Sequence, residues 1–432
     1  MSSIPDDRAE AVFDDFKPAY DARQAVTEAQ RCLYCYDAPC IQACPTEIDI
    51  PEFIRKIATD NVKGSAKTIF DSNILGMSCA RVCPVEVLCV GDCVYNHLDS
   101  PPIQIGKLQR YATDKAYEEG WQYYAAGPDT GKKVALVGAG PASLAAAHRL
   151  RRYGHAVTIF DKRSVVGGLN TTGVAPYKMK ADRSVAEAEW VLGIGGIEVK
   201  LGVEVPGDIS WQQLESDYDA VFLGFGLGPD KLMALPGADL DGIVGAVDFI
   251  EGFKLGRAAV QGKHVAVIGG GNTAIDAVRE AMGLGAASVT MVYRGTEAGM
   301  SGYQHEWKAA KAEDVQGAWQ RQPVGFEGSG TVTGVRCVRL DDAKQPIEGT
   351  EHVIAADLVL LAIGQAKLGA LVEGLEGIET KWGAVVTDAQ GATGRPGFYA
   401  GGDCRNGGKE VVNAAAEGRD AAQAIHAYLG GA

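Results

Sequence analysis

Eight of the ten cysteines lie between positions 32 and 93. The first four, Cys32, Cys35, Cys40 and Cys44, read C-x2-C-x4-C-x3-C-P, ending at Pro45. The second four, Cys79, Cys83, Cys89 and Cys93, read C-x3-C-P-x4-C-x3-C. Three chemistries use clustered thiols. Disulfides fit poorly with the reducing interior that the rest of the chain suggests. Structural zinc favours paired C-x2-C knuckles, and only one such pair occurs here. Iron–sulfur ligation fits best. Such runs place three thiolates around one cubane, end in Cys-Pro, and lend their fourth cysteine to a second cluster. The expected sets are Cys32, Cys35, Cys40 and the distant Cys93 for one 4Fe-4S cluster, with Cys44, Cys83 and Cys89 for the other.

The last ligand of the second cluster is left open by spacing. Cys79 is one candidate and Gln109, sixteen residues after Cys93, is the other. Thiolates suit iron better than amides, so residue chemistry alone favours Cys79.

The elements that must carry these groups change character along the chain. From about 8 to 120, apolar residues recur at helical spacing, as in PEFIRKIATDN and GKLQRYATDKAYEEG. A turn-rich linker at AAGPDTGKK follows, and then a glycine-rich alternation of strands and helices. In KVALVGAGPASLAAAHRLRRYGHAVTIFD a strand runs into Gly138 and Gly140, a helix follows, and a second strand ends at Asp161. That is a dinucleotide fingerprint in its strand–turn–helix–strand setting. Its glycines allow a tight turn and close approach to a pyrophosphate, and its acid meets a ribose. Ser143 stands where the third glycine or alanine is usual. Gly167, Gly168 and Leu169 suit a second approach to the same ligand.

A second fingerprint begins at His264, with Gly269, Gly271, Asn272, Thr273 and Ala274. Its second strand ends at Arg294 instead of an acid. A cation there suits a 2′-phosphate or stacks on adenine. Gly295 follows, so no companion cation flanks it, and NADH or NADPH remain open. Near the C-terminus, Phe398-Tyr399-Ala400-Gly401-Gly402-Asp403 is a short strand ending in an acid, before a helical stretch from about Val412 to Tyr428. An acid so placed can bond the ribityl or phosphate part of a flavin, and a helix N-terminus can stabilise negative charge on its ring. The expected FAD contacts are Gly138, Gly140, Pro141, Ala142, Asp161, Gly168, Leu169, Gly364, Gly402 and Asp403. The expected nicotinamide-nucleotide contacts are Gly269, Gly271, Asn272, Thr273, Ala274 and Arg294.

Strand ends at FLGFG and LAIGQ look like crossovers between nested domains. The expected fold is multidomain, α followed by α/β: an N-terminal helical domain with two 4Fe-4S clusters, then two nested Rossmann-like units. The boundaries are 1–125 for the iron–sulfur domain, 131–255 and 371–432 for the split FAD domain, and 256–370 for the inserted NAD(P) domain. No nucleophile or acid–base group stands out. His97, His148, His264, Cys337 and Cys404 read as surface or packing residues. Hydride transfer needs no such machinery, because the cofactors carry the chemistry.

Composition sets the outer limits. Glycine contributes 56 of 432 residues, about 13% against a usual ~7%, in keeping with many close backbone approaches. The formal net charge of −14 argues against a nucleic-acid partner or a polybasic membrane patch. No apolar run approaches the ~20 residues of a membrane span, and the start MSSIPDDRAE does not read as a signal peptide, so the cytoplasm is expected.

These residues carry a resemblance along nearly the whole chain. The double cysteine run, GAGPAS, GGLN, GGGNTAID and AGGD resemble the NAD(P)H-oxidising half of dihydropyrimidine dehydrogenase, a separate small subunit in bacteria. They are similar, more loosely, to the small subunit of NADPH-dependent glutamate synthase. CYDAPC with ACPT, and LGMSC with LCVG, resemble the pyrimidine branch, and Gln109 falls where that family uses glutamine as a cluster ligand. The glutamate synthase branch tends to have Glu there. The resemblance therefore implies Gln109, not Cys79, as the eighth ligand. It implies a route from nicotinamide to FAD to two clusters and out across a subunit interface, with a slight preference for NADH. The chain stops at Ala432, with no FMN barrel, pyrimidine site or third cysteine set. The implied partner is an FMN- and iron–sulfur-containing subunit that reduces uracil or thymine.

Overall fold

The computed structural model describes residues 4–256 and 259–431. The N-terminal domain packs six helices: α1 (Ala22–Ala29), α2 (Pro39–Gln42), α3 (Ile50–Ala58), α4 (Val62–Ser72), α5 (Gly76–Val82) and α6 (Ile105–Glu118). In α3, Ile50, Phe53, Ile54 and Ile57 form one buried stripe at i, i+3, i+4 and i+7, with Asp49 capping the helix through the Glu52 N–H. Phe53, Phe70 and Leu108, from α3, α4 and α6, are buried together in the core.

Two parallel five-stranded sheets follow. The first joins β1 (Lys133–Val137), β2 (Ala156–Asp161), β3 (Ile197–Leu201) and β4 (Ala220–Leu223) with the late strand β15 (Phe398–Ala400), in the order β15-β4-β1-β2-β3. The second joins β5 (Ile243–Gly245), β6 (His264–Ile268), β7 (Ser288–Tyr293), β8 (Gln316–Trp319) and β12 (Leu358–Leu361), in the order β5-β12-β6-β7-β8. Between β8 and β12 an antiparallel ribbon adds β9 (Arg321–Ser329), β10 (Thr331–Arg339) and β11 (His352–Ala355), and a small pair, β13 (Thr380–Lys381) and β14 (Ala384–Val385), precedes β15. Parallel strands covered on both faces need unbroken apolar runs, which VALV in β1 and VAVI in β6 supply. The helices used below are α7 (Pro141–Arg152), α8 (Leu169–Thr172), α9 (Ala181–Leu192), α10 (Trp211–Asp217), α11 (Ala246–Lys254), α12 (Asn272–Gly283), α13 (Gln304–Ala312), α14 (Asp403–Asn406) and α15 (Val411–Tyr428).

The second unit is inserted into the first, and the two crossing strands lie side by side. The Lys231 N–H donates to Gly364 O (2.9 Å), the Ala366 N–H to Pro229 O (2.8 Å) and the Gly228 N–H to Ala366 O (2.8 Å). This moves both expected boundaries upstream. β5 is hydrogen-bonded to β12, so residues 243–255 belong to the inserted unit, not to a first part ending at 255. On the return, Val372 packs with Val137, Leu223 and Phe398 of the first unit, so the crossing falls near 365, not at 370. The segment before β5 has no composition break, and only strand pairing assigns it.

An extended N-terminal arm ties the domains together. The Ala9 N–H donates to Gly256 O (2.8 Å), the Phe16 N–H to Tyr177 O (2.8 Å), and Phe13 lies against Phe253. Gly283 of α12 makes room for it, since a Cβ there would stand 2.4 Å from the Phe13 ring.

Candidate functional site

Cys32, Cys35, Cys40 and Cys93 line one pocket, walled by Ile50, Ile54, Ile103 and Ile105. Burial and the neighbouring Cys32, Cys93 and Cys35 push the Cys40 thiol up to about 12. A second group forms alongside. Cys83 is raised first by its contact with Cys79, then by burial and by Cys89 and Cys44. Burial, then Cys44 and Cys40, raises Cys89, so the two groups adjoin through Cys40, Cys44 and Cys89. Thiolates crowded in an apolar setting are unstable unless positive charge sits among them, which bound iron supplies. All ten cysteines are free. Among the described residues, no three His, Cys, Asp or Glu side chains converge as a single ion requires. A cubane asks for less convergence, since each of its four thiolates binds a different iron. The donor set therefore fits two 4Fe-4S clusters. Gln109 is buried on α6, and its Nε2 donates to Gly76 O on α5 (2.8 Å). Cys79 lies one turn further along α5, against Cys83.

The first nucleotide fingerprint is shaped by contacts that exclude side chains. A Cβ on Gly138 (φ +102°) would stand 2.3 Å from Gly224 O at the end of β4. Around Gly140 nothing lies within 4 Å of such an atom, leaving an open cradle above α7, whose first N–H groups have no side-chain cap. The third motif position is tolerated as Ser143 because its partner is glycine: a Cβ on Gly224 would meet Ser143 Oγ at 2.2 Å. Asp161 ends β2 and holds the loop, its Oδ2 accepting from the Ala139 N–H and its Oδ1 from the Arg163 N–H, both at 2.7 Å. Burial raises its carboxyl. Across the sheet, Gly402 and Asp403 open α14. Burial, aided by the carboxylates of Glu417 and Glu410, pushes Asp403 up to about 6. The Gly402 N–H donates to Glu417 Oε2 at 2.6 Å. Helix α15 crosses α7 closely because Gly418 replaces a side chain that would clash with Ala142 O at 2.0 Å. Gly364 (φ +98°) lies on the crossover strand with open space around it.

The second fingerprint repeats this construction. A Cβ on Gly269 would stand 2.4 Å from Ala362 O at the end of β12, while Gly271 opens onto Ser301 at 3.7 Å. Asn272 Oδ1 accepts from the Tyr303 N–H (2.9 Å), anchoring the start of α12. The Tyr303 hydroxyl donates to Glu410 Oε1 (2.8 Å), so one tyrosine joins the inserted unit to the start of α15, the helix that packs on the first unit. Arg294 is exposed at the end of β7 and makes no ion pair or hydrogen bond with the described residues. Gly295 excludes a companion side chain, since a Cβ would stand 2.6 Å from the Tyr293 ring.

A family model described as dihydropyrimidine dehydrogenase domain II, 4Fe-4S cluster, matches residues 8–121, and one described as pyridine nucleotide-disulphide oxidoreductase matches residues 132–418. The chain belongs to the pyridine nucleotide-disulphide oxidoreductases. Joined to its 4Fe-4S domain, this makes it an NAD(P)H-dependent iron–sulfur flavoprotein oxidoreductase, with FAD, 4Fe-4S clusters and a nicotinamide nucleotide as cofactors. The glutamate synthase (NADPH) small chain of Escherichia coli is 37% identical over 94% of this chain and 92% of its own length. The NAD-dependent dihydropyrimidine dehydrogenase subunit PreT of the same organism is 36% identical over 97% of this chain and 98% of its own. The fold of the nucleotide domains is shared with thioredoxin reductase of T. acidophilum, at a TM-score of 0.55 and 22% identity over 68% of this chain and 98% of that one. No helix of the described residues is long and apolar enough to cross a membrane.

Between the first nucleotide loop and the cysteine-bearing helix α5 lie buried polar residues that the motifs do not announce. Glu187 of α9 is buried at the start of α5, and Asn170 of α8 reaches the same place. Glu417 holds Gly402. One signal was available for Glu187: it falls on the apolar stripe of α9 with Ser184, Ala188 and Val191, and a lone acid on such a stripe must have partners. His148 is buried in α7 with its ring edge against Tyr124, whereas His97 and His264 are exposed. Cys404 is buried, its Sγ donating to Leu223 O, and Cys337 is buried in β10.

Proposed function

We propose that this chain is the electron-input subunit of a pyrimidine-reducing enzyme. It takes electrons from NAD(P)H and delivers them singly to a partner that reduces uracil or thymine to the 5,6-dihydro form. The observation that carries this reading is Gln109. Its amide nitrogen is committed to Gly76 O, its Oε1 receives no hydrogen bond from the described residues, and it stands on the helix facing the one that carries Cys79 and Cys83. A glutamine so placed suits the cluster ligand of the pyrimidine branch. The match to PreT is compatible with this branch, and the glutamate synthase small chain is equally close, so Gln109 carries the choice.

In this reading Cys32, Cys35, Cys40 and Cys93 hold one cluster, and Cys44, Cys83, Cys89 and Gln109 the other. Gly138, Gly140, Pro141, Ala142, Gly168, Leu169, Gly364 and Gly402 give the flavin backbone-lined space, while Asp161 and Asp403 offer carboxylates to its hydroxyls. Gly269, Gly271, Asn272, Thr273 and Ala274 take the nicotinamide nucleotide, with Arg294 at its ribose. FAD held there would supply a hydride acceptor that can pass electrons on one at a time. The partner is an FMN- and iron–sulfur-containing subunit, and the assembly is cytoplasmic. The second reading is a glutamate synthase small subunit, favoured by the unpaired Arg294, which suits the 2′-phosphate of NADPH. Oxygen-free protein mixed with an FMN-containing partner separates them. Oxidation of NAD(P)H that depends on uracil or thymine is expected, and dependence on glutamine with 2-oxoglutarate would select the second reading.

A further inference from the structure

A polar bridge runs from the flavin loop to the helix beside the second cluster. At one end, Gly168 packs on Gly140, and Asn170 follows two residues later in α8. Asn170 Nδ2 donates to Ser78 Oγ at 2.8 Å. The Ser78 hydroxyl donates in turn to Glu187 Oε2. Glu187 Oε1 accepts the Met77 and Ser78 N–H groups at 3.0 and 3.1 Å, capping the first turn of α5 from a different domain. Asn170, Ser78 and Glu187 are each 4% exposed or less.

Each feature has a physical consequence. The first N–H groups of a helix lack partners within it, and burying them unpaired is costly. In α5 no side chain of the helix's own N-cap, Leu75, fills that role. The carboxylate of Glu187 does, and it belongs to the flavin domain. Helix α5 carries Cys79 and is capped at its C-terminus by Cys83, and its Gly76 carbonyl holds Gln109. The orientation of this cluster-bearing helix is thus set by two residues of the flavin domain, one of them next to the flavin loop.

We propose that Glu187 and Asn170 are positioning residues for flavin-to-cluster electron transfer, holding helix α5 in register with the flavin loop through Ser78. Each transfer moves one electron from the reduced flavin to iron of the second cluster, and no bond of the bridge is made or broken. The inference rests on the ligand set proposed above, so Cys83→Ser serves as its control.

The test follows oxygen-free, fully loaded protein in a single turnover, with flavin absorbance and the paramagnetic resonance of each reduced cluster as readouts. Asn170→Ala and Glu187→Ala are expected to leave flavin reduction by NAD(P)H within twofold. They should slow second-cluster reduction at least tenfold and shift that cluster's potential alone. Glu187→Gln keeps an acceptor for the two N–H groups and should restore the rate. If Glu187→Ala fails to fold, Asn170→Ala carries the test. Unchanged transfer rate and potential in a variant with full iron and flavin overturn the inference. If Cys83→Ser leaves both resonance signals intact, the ligand reading fails instead.

Discussion

Gly168 rests directly on Gly140: a Cβ at Gly168 would stand 2.9 Å from the Cα of Gly140. Two loops that are 28 residues apart thereby close on one another with backbone alone, and the space above them stays open for a ligand. Alanine at Gly168 would force the loops apart and would also bear a left-handed φ of +54°. FAD affinity in Gly168→Ala should fall at least tenfold, about 1.4 kcal/mol, while iron content stays unchanged. Flavin titration of deflavinated protein checks this, and undiminished affinity would remove the glycine contact from the flavin site.

Cys79 and Gln109 both bear on α5, but they do so differently. Cys79 touches Cys83 directly, whereas Gln109 reaches Gly76 with its nitrogen and has its oxygen to spare. Gln109→Ala should lose about half of the iron and one cluster resonance signal, and Cys79→Ala should lose neither. The reverse outcome would assign the ligand to Cys79.

Among the described residues Arg294 has no ion-pair or hydrogen-bond partner, and Gly295 is barred from carrying a second cation by the Tyr293 ring. A single exposed cation gives limited selectivity, so NADH is expected to be the better substrate by kcat/KM. Arg294→Ala should lower kcat/KM for NADPH about tenfold, the worth of one charge-assisted contact, and leave that for NADH within twofold. Equal losses with both nucleotides would show that Arg294 acts on the shared adenine.

Burial, reinforced by Arg152 and Arg149, pushes His148 down to about 3. Unfolded, the imidazole takes up a proton near its usual pKa of about 6.5. The folded protein therefore binds fewer protons between these values. Its stabilising share is present above pH 6.5 and is lost at about 1.4 kcal/mol per pH unit as pH falls towards 3. His148→Gln should flatten the fall in unfolding temperature between pH 6.5 and 5. An unchanged slope would assign the acid sensitivity to other groups.

Chemistry that depends on short stretches of chain was legible from residue order. A turn that only glycine can make, next to a helix start, is a local requirement, so both fingerprints and the spacing of Cys32, Cys35 and Cys40 could be read before any fold was known, whereas the folded chain brings the distant Cys93 to line a pocket with them. Helical and strand segments were legible for the same reason, since periodicity is local. What residue order left open was decided by pairing across long separations. Strand β5 joined the inserted sheet because β12 bonds to it, moving a boundary that composition could not mark. Glu187 found its role 109 residues from Ser78, and the arm around Phe13 found its groove at Gly283. A buried carboxylate and a deleted side chain acquire meaning only from what packs against them, and that contact exists only in the folded chain.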